Sequence, residues 1–131
     1  MEKLNGSIDD LGRPLIRLQL PHGHDDLLVI VDTGFNGELM MSLAMAQSLG
    51  LSLDDDLVPI ELGTGAIERV YTSQIDVLWL DKELRVRALV STSWPSPAPD
   101  APVALIGTRL LRPHLLLVDF EANTVAIESR D

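Results

Sequence analysis

A carboxylate, a hydroxyl and a glycine stand in succession at Asp32-Thr33-Gly34, directly after the apolar run Leu28-Val29-Ile30-Val31. Four consecutive β-formers read as a buried strand. A charge at the end of such a strand is costly unless it is paired or put to use. Gly34 and Gly37 free the backbone to turn tightly or to come close to another group. Asp-Thr-Gly by itself also reads as an Asx-turn, with Asp32 bonding its own backbone. A second apolar strand ending in glycine, Ala104-Leu105-Ile106-Gly107, argues for more than a turn.

Three other groups have chemistry to offer. His22, His24, Asp25 and Asp26 share one polar loop and could ligate a metal. No third ligand of defined spacing follows them, so they read as a surface loop, and no metal or other cofactor is expected. The glycines of Leu62-Gly63-Thr64-Gly65-Ala66 are too closely spaced, and too poorly placed before a helix, for a phosphate loop. They read as an unencumbered, mobile hairpin tip. Met40, Met41 and Met45 read as core filler.

The elements that must position these residues are mostly strands. Leu4 to Ile8 and Leu15 to Leu20 form two, joined by the turn-forming stretch Asp9 to Pro14. Ile16, Leu18 and Leu20 alternate with Arg17 and Gln19, which gives one buried and one wet face. Leu27 to Val31 delivers Asp32, and Glu38 to Met41 continues extended. Ser42 caps a short helix that Gly50 ends. Leu57 to Glu61 and Ile67 to Thr72 make a hairpin around the glycine tip. Gln74 to Leu80 and Leu84 to Val90 make another, turning at Asp81-Lys82-Glu83. Prolines 95, 97, 99 and 102 impose an extended connection that also holds Trp94. Val103 to Ile106 is a short buried strand, Thr108 to Arg112 a helical turn, and Leu115 to Val118 and Thr124 to Ile127 a final pair. A period of two with one or two short helices makes the chain mainly β.

The 131 residues suffice for one domain, 1–131, with a single core. Only five residues are aromatic, so that core must be aliphatic. The absence of cysteine excludes disulfides and thiolate metal sites. A net charge of −10 repels phosphate backbones, so nucleic acid is not an expected partner. The N-terminal stretch has no apolar signal-peptide core and no run is long enough to span a bilayer, so no membrane is expected and the cytoplasm is the expected location.

Val31-Asp32-Thr33-Gly34, the hairpin Leu62 to Ala66, and Leu105-Ile106-Gly107 about seventy residues beyond Asp32 resemble, in order and spacing, the retropepsin-like aspartic proteases of bacterial single-lobe type. Leu110-Leu111-Arg112-Pro113, Leu117-Val118-Asp119-Phe120 and Val125-Ala126-Ile127 extend the resemblance over most of the chain. It implies a closed β barrel of retropepsin-like type and an aspartic endopeptidase acting on peptides or proteins. Asp32 would be the catalytic carboxylate, Thr33 would lock two active-site turns together across a twofold axis, and Gly34 would bring its amide near the carboxylate. Leu62, Gly63, Thr64, Gly65 and Ala66 would form the flap over substrate, and Ile106 and Gly107 would support the catalytic turn. This mechanism needs two carboxylates around one water, and the chain carries a single Asp-Thr-Gly, so a homodimer with an Asp32/Asp32 dyad is implied. Arg109 departs from the acidic residue many bacterial relatives carry there, and the flap tip lacks an aromatic. The alternative is a non-catalytic dimerisation or peptide-binding module on the same fold.

Overall fold

A computed structural model describes residues 2–94 and 101–130 of the chain. Its strands are β1 (Lys3–Ile8), β2 (Pro14–Leu18), β3 (Leu27–Val31), β4 (Leu39–Ser42), β5 (Val58–Glu61), β6 (Ile67–Trp79), β7 (Lys82–Ser91), β8 (Ala104–Ile106), β9 (His114–Asp119) and β10 (Thr124–Ser129). The helices are α1 (Leu43–Ser48) and α2 (Thr108–Leu111). The strands are hydrogen-bonded in the order β5-β6-β7-β4-β8-β3-β2-β1-β10-β9. Past β2 and near the end of β6, an antiparallel bridge between Gln19 and Leu78 joins the sheet to itself. The mainly β architecture expected from the sequence is therefore observed. The proline-rich connection falls largely at 95–100, outside the described residues.

The centre of the sheet holds short, strongly apolar strands. β3 runs parallel to β8, pairing Val29 with Ala104, Ile30 with Leu105 and Val31 with Ile106. β8 then pairs antiparallel with β4, and β4 parallel with β7. Strands flanked on both sides need side chains that tolerate burial on both faces, hence near-continuous apolar runs. Val29, Leu39, Met41, Ala104 and Ile106 are fully buried here. Ile16, Leu18, Val77, Val86, Val125 and Ile127 extend the same core outward. As composition requires, it is aliphatic, with Trp79 its one buried aromatic among the described residues.

Local signals explain the ends of several elements. The Ser42 hydroxyl accepts the Met45 N–H at 3.0 Å and caps α1. Past its end, Gly50 takes φ +70°, the left-handed conformation that terminates helices. Among the boundaries that differ from expectation, β2 ends at Leu18 rather than Leu20, and two others have a clear local cause. β6 is one strand of 13 residues, where two were expected. Tyr71-Thr72-Ser73 contains no breaker, and the strand changes partner there instead, pairing with β5 through Val70 and with β7 from Tyr71 onward. The β6–β7 turn lies at Leu80-Asp81, one residue early, because both adopt positive φ, 49° and 64°, and so close a two-residue hairpin between Trp79 and Lys82.

Candidate active site

Asp32 sits one residue beyond β3, half-buried, on the central parallel pair. Its N–H donates to the Ile106 carbonyl at 2.9 Å, which carries the β3–β8 ladder past Val31. Its side-chain Oδ1 accepts the Gly34 N–H at 2.9 Å. The Asx geometry expected of the bare triplet is thus present, and it fixes the carboxylate rather than consuming it. Among the described residues Oδ2 has no hydrogen-bond partner. Thr33 and Gly34 are exposed at the apex, and the Thr33 hydroxyl likewise finds no partner among the described residues.

The turn is held from below by the start of α2. The first N–H groups of a helix have no partner within it. Here the loop after Asp32 supplies acceptors: Gly107 N–H donates to Glu38 O (3.1 Å), Thr108 N–H to Phe35 O (2.8 Å) and Arg109 N–H to Gly37 O (3.3 Å). The Thr108 hydroxyl also donates to Phe35 O at 3.3 Å. This packing requires glycine at 107. A β-carbon there would lie 2.4 Å from Phe35 O and 2.5 Å from Gly37 O, and both are backbone atoms. Gly107→Ala is therefore expected to destabilise the fold by about 1–3 kcal/mol, the usual cost of forcing a methyl into a packed site. A lowered midpoint in urea denaturation, at unchanged slope, measures it.

The hairpin β5–β6 reaches over the same turn. At its tip Leu62 N–H donates to Ala66 O and Gly65 N–H to Leu62 O, both at 2.8 Å. Gly65 has φ +86°, which a side chain would strain. All five residues from Leu62 to Ala66 are exposed. A β-carbon built on Gly63 would lie 3.6 Å from the Gly34 carbonyl oxygen. The tip therefore leans onto the Asp-Thr-Gly turn, and glycine lets it approach closely.

A small second core ties the hairpin to the turn. Met40, Val70 and Leu89 form it, with Phe35, Val58, Ile60 and Trp94 packed against them. Trp94, at the start of the proline-rich connection, is thus packed. Beside Phe35 opens a cleft of about 280 Å³, whose lining includes Ile60, Glu61, Arg87 and Arg109. Glu38 reaches it too, its Oε1 accepting the Arg87 backbone N–H at 2.9 Å. Of these polar residues only Arg109 stands out in the sequence, as the departure from the acidic residue of the bacterial relatives. Arg87 and Glu38 are 49 positions apart, and no local pattern links them.

Away from this site, His22 of the histidine loop finds acidic neighbours outside its own loop. His22 Nε2 lies 3.9 Å from a Glu83 carboxylate oxygen, and Asp76 is close enough to both to complete a possible three-ligand set. Arg85 occupies Asp76 instead, through Nε to Oδ1 at 2.9 Å and a second nitrogen to Oδ2 at 3.3 Å. That hydrogen-bonded guanidinium holds the Asp76 carboxyl below its ordinary 3.8. A carboxyl depressed on folding contributes stability above its unfolded value and loses it as pH falls through the folded one. Arg85→Gln should move the Asp76 titration, followed by carboxyl NMR shifts, back toward 3.8.

The sequence matches no protein-family model and no curated protein. Its fold does have a counterpart among solved structures. A retropepsin-like aspartic protease from Rickettsia conorii superposes with a TM-score of 0.63 over 97% of this chain and 90% of that one, at 16% identity. At that identity the likeness concerns the fold, which is retropepsin-like.

Proposed function

We propose, from this retropepsin-like fold, that the chain is an aspartic endopeptidase that hydrolyses peptide bonds as a homodimer. The observation that carries the reading is the position of Asp32. Its carboxylate tops the central β3–β8 pair, is oriented by one backbone N–H, has an Oδ2 without a hydrogen-bond partner among the described residues, and lies under a glycine-tipped hairpin.

Hydrolysis follows from pairing this turn with its symmetry mate. Two like charges so close do not both ionise, and the pair shares a proton. The ionised Asp32 takes a proton from a water held between the two, and the water oxygen attacks the scissile carbonyl carbon. The protonated Asp32 of the other chain donates to the carbonyl oxygen as negative charge builds there. A proton then passes to the amide nitrogen, the C–N bond breaks, and an acid and an amine leave. Thr33, exposed and unpartnered within the chain among the described residues, would bind its counterpart turn across the axis. Leu62 to Ala66 would close over the substrate and exclude bulk water.

The deciding experiment incubates the protein with an unfolded protein substrate at mildly acidic pH and maps new termini by mass spectrometry. Cuts made by wild type and not by Asp32→Asn support the reading. Equal cutting by both proteins defeats it.

A further inference from the structure

The cleft beside the Asp32 turn has an apolar wall formed by Phe35, Ile60 and Leu89, with Arg87 and Arg109 at its edge. Both arginines are exposed, and among the described residues neither guanidinium makes an ion pair. Elsewhere, Arg13 and Arg85 each hold a carboxylate through Nε, at 2.8 Å and 2.9 Å. The cleft also contains Glu38 and Glu61. Glu38 has one oxygen committed to the Arg87 backbone N–H, a bond that ties β7 to the loop below the turn. Glu61 sits at the end of β5, where the projecting hairpin begins.

We infer that this cleft is a specificity subsite for an acidic side chain of the substrate, with Arg87 and Arg109 as the residues that select it. The inference rests on the protease reading and deepens it. An aspartate or glutamate would lay its methylene carbons against the apolar wall and its carboxylate between two guanidiniums. A planar fork of N–H donors matches a carboxylate in shape as well as charge. A lysine or arginine side chain would meet two like charges and find the second Glu38 oxygen and Glu61 as its acceptors. The formal charges lining the cleft cancel, so selection acts at hydrogen-bonding range rather than through long-range steering. Glu61 opposes an incoming carboxylate and sets how strong the preference is.

The test uses Asp32→Asn protein, which cannot turn substrate over by this route, and fluorescent nonapeptide libraries carrying Glu, Gln or Lys at one fixed position. Anisotropy should give binding about tenfold tighter for Glu than for Gln at one position, and weakest for Lys. Adding Arg87→Gln and Arg109→Gln should bring the Glu and Gln libraries level. Adding Glu61→Gln alone should widen the gap, an outcome that misfolding does not produce. Wild-type cleavage of the same libraries is measured in parallel. Glu preference in binding without wild-type cleavage would keep the subsite and remove the protease reading. Cleavage without Glu preference would remove the subsite and keep the protease. Equal binding of all libraries, or a Glu preference that survives loss of both arginines, overturns the inference.

Discussion

Asp32→Asn is expected to lower peptide cleavage by about 10⁴-fold, the upper end of what a positioned general acid–base group contributes. That corresponds to about 5.5 kcal/mol of transition-state stabilisation at 1.36 kcal/mol per decade. In a homodimer the substitution removes both carboxylates at once, so no residual base remains to activate the water. The fold should survive. An asparagine Oδ1 can still accept the Gly34 N–H that Asp32 accepts at 2.9 Å, and the Asp32 N–H to Ile106 O bond does not involve the side chain. Exchanging a charged acceptor for a neutral one in a half-exposed turn should shift stability by no more than about 1 kcal/mol. Cleavage kinetics and urea denaturation on the same preparation separate the two effects. A large activity loss with an unchanged midpoint supports a chemical role, whereas unchanged cleavage leaves Asp32 as turn chemistry.

The same turn carries the rival reading, a module that dimerises or binds peptides without cutting them. The Gly34 N–H to Asp32 Oδ1 bond fits either reading, because it orients a catalytic carboxylate and stabilises an Asx-turn alike. The support beneath the turn exceeds what a turn needs. Two α2 N–H groups, the N–H of its N-cap Gly107 and the Thr108 hydroxyl converge on the carbonyls of Phe35, Gly37 and Glu38, at distances from 2.8 to 3.3 Å. Such fixing of a loop apex lowers the cost of holding a reacting group in place, which a binding module does not require to the same degree.

How much of this was legible in the sequence depends on whether a feature is local. The strand before Asp32 and its partner ending at Gly107 are short apolar runs bounded by glycine, and they do pair, Val31 beside Ile106. The Ser42 cap and the glycine-tipped hairpin are equally local and were equally readable. Features that depend on tertiary neighbours were not. Arg85 and Arg87 alternate with the apolar Leu84, Val86 and Ala88, and only the fold sends Arg85 to Asp76 and Arg87 to the cleft. No further ligand of defined spacing follows the histidine loop in sequence, yet β6 and β7 bring Asp76 and Glu83 to His22. The continuity of β6 was missed because a change of strand partner leaves no turn residue behind.

Activity should depend on protein concentration more steeply than the first power, because the chain carries one Asp-Thr-Gly and the mechanism needs two. Well below the dimer dissociation constant, the dimer concentration varies as the square of total protein. A tenfold dilution should then cut the rate about 100-fold, against about tenfold for an active monomer. Thr33 is the residue whose loss should move that curve. It is exposed at the apex of the turn, and among the described residues its hydroxyl has no partner in its own chain. If each Thr33 bonds the opposite turn, Thr33→Ala removes two symmetry-related hydrogen bonds per dimer. At about 1 kcal/mol each, the dissociation constant should rise roughly 30-fold. Sedimentation equilibrium measures that shift directly, and rate against concentration measures it through activity. The two should agree, and saturating protein should restore most of the wild-type rate, because Asp32 and its Gly34 N–H bond are untouched. A rate that stays first-order in protein down to the lowest measurable concentration, with a monomer in sedimentation, would exclude the Asp32 dyad.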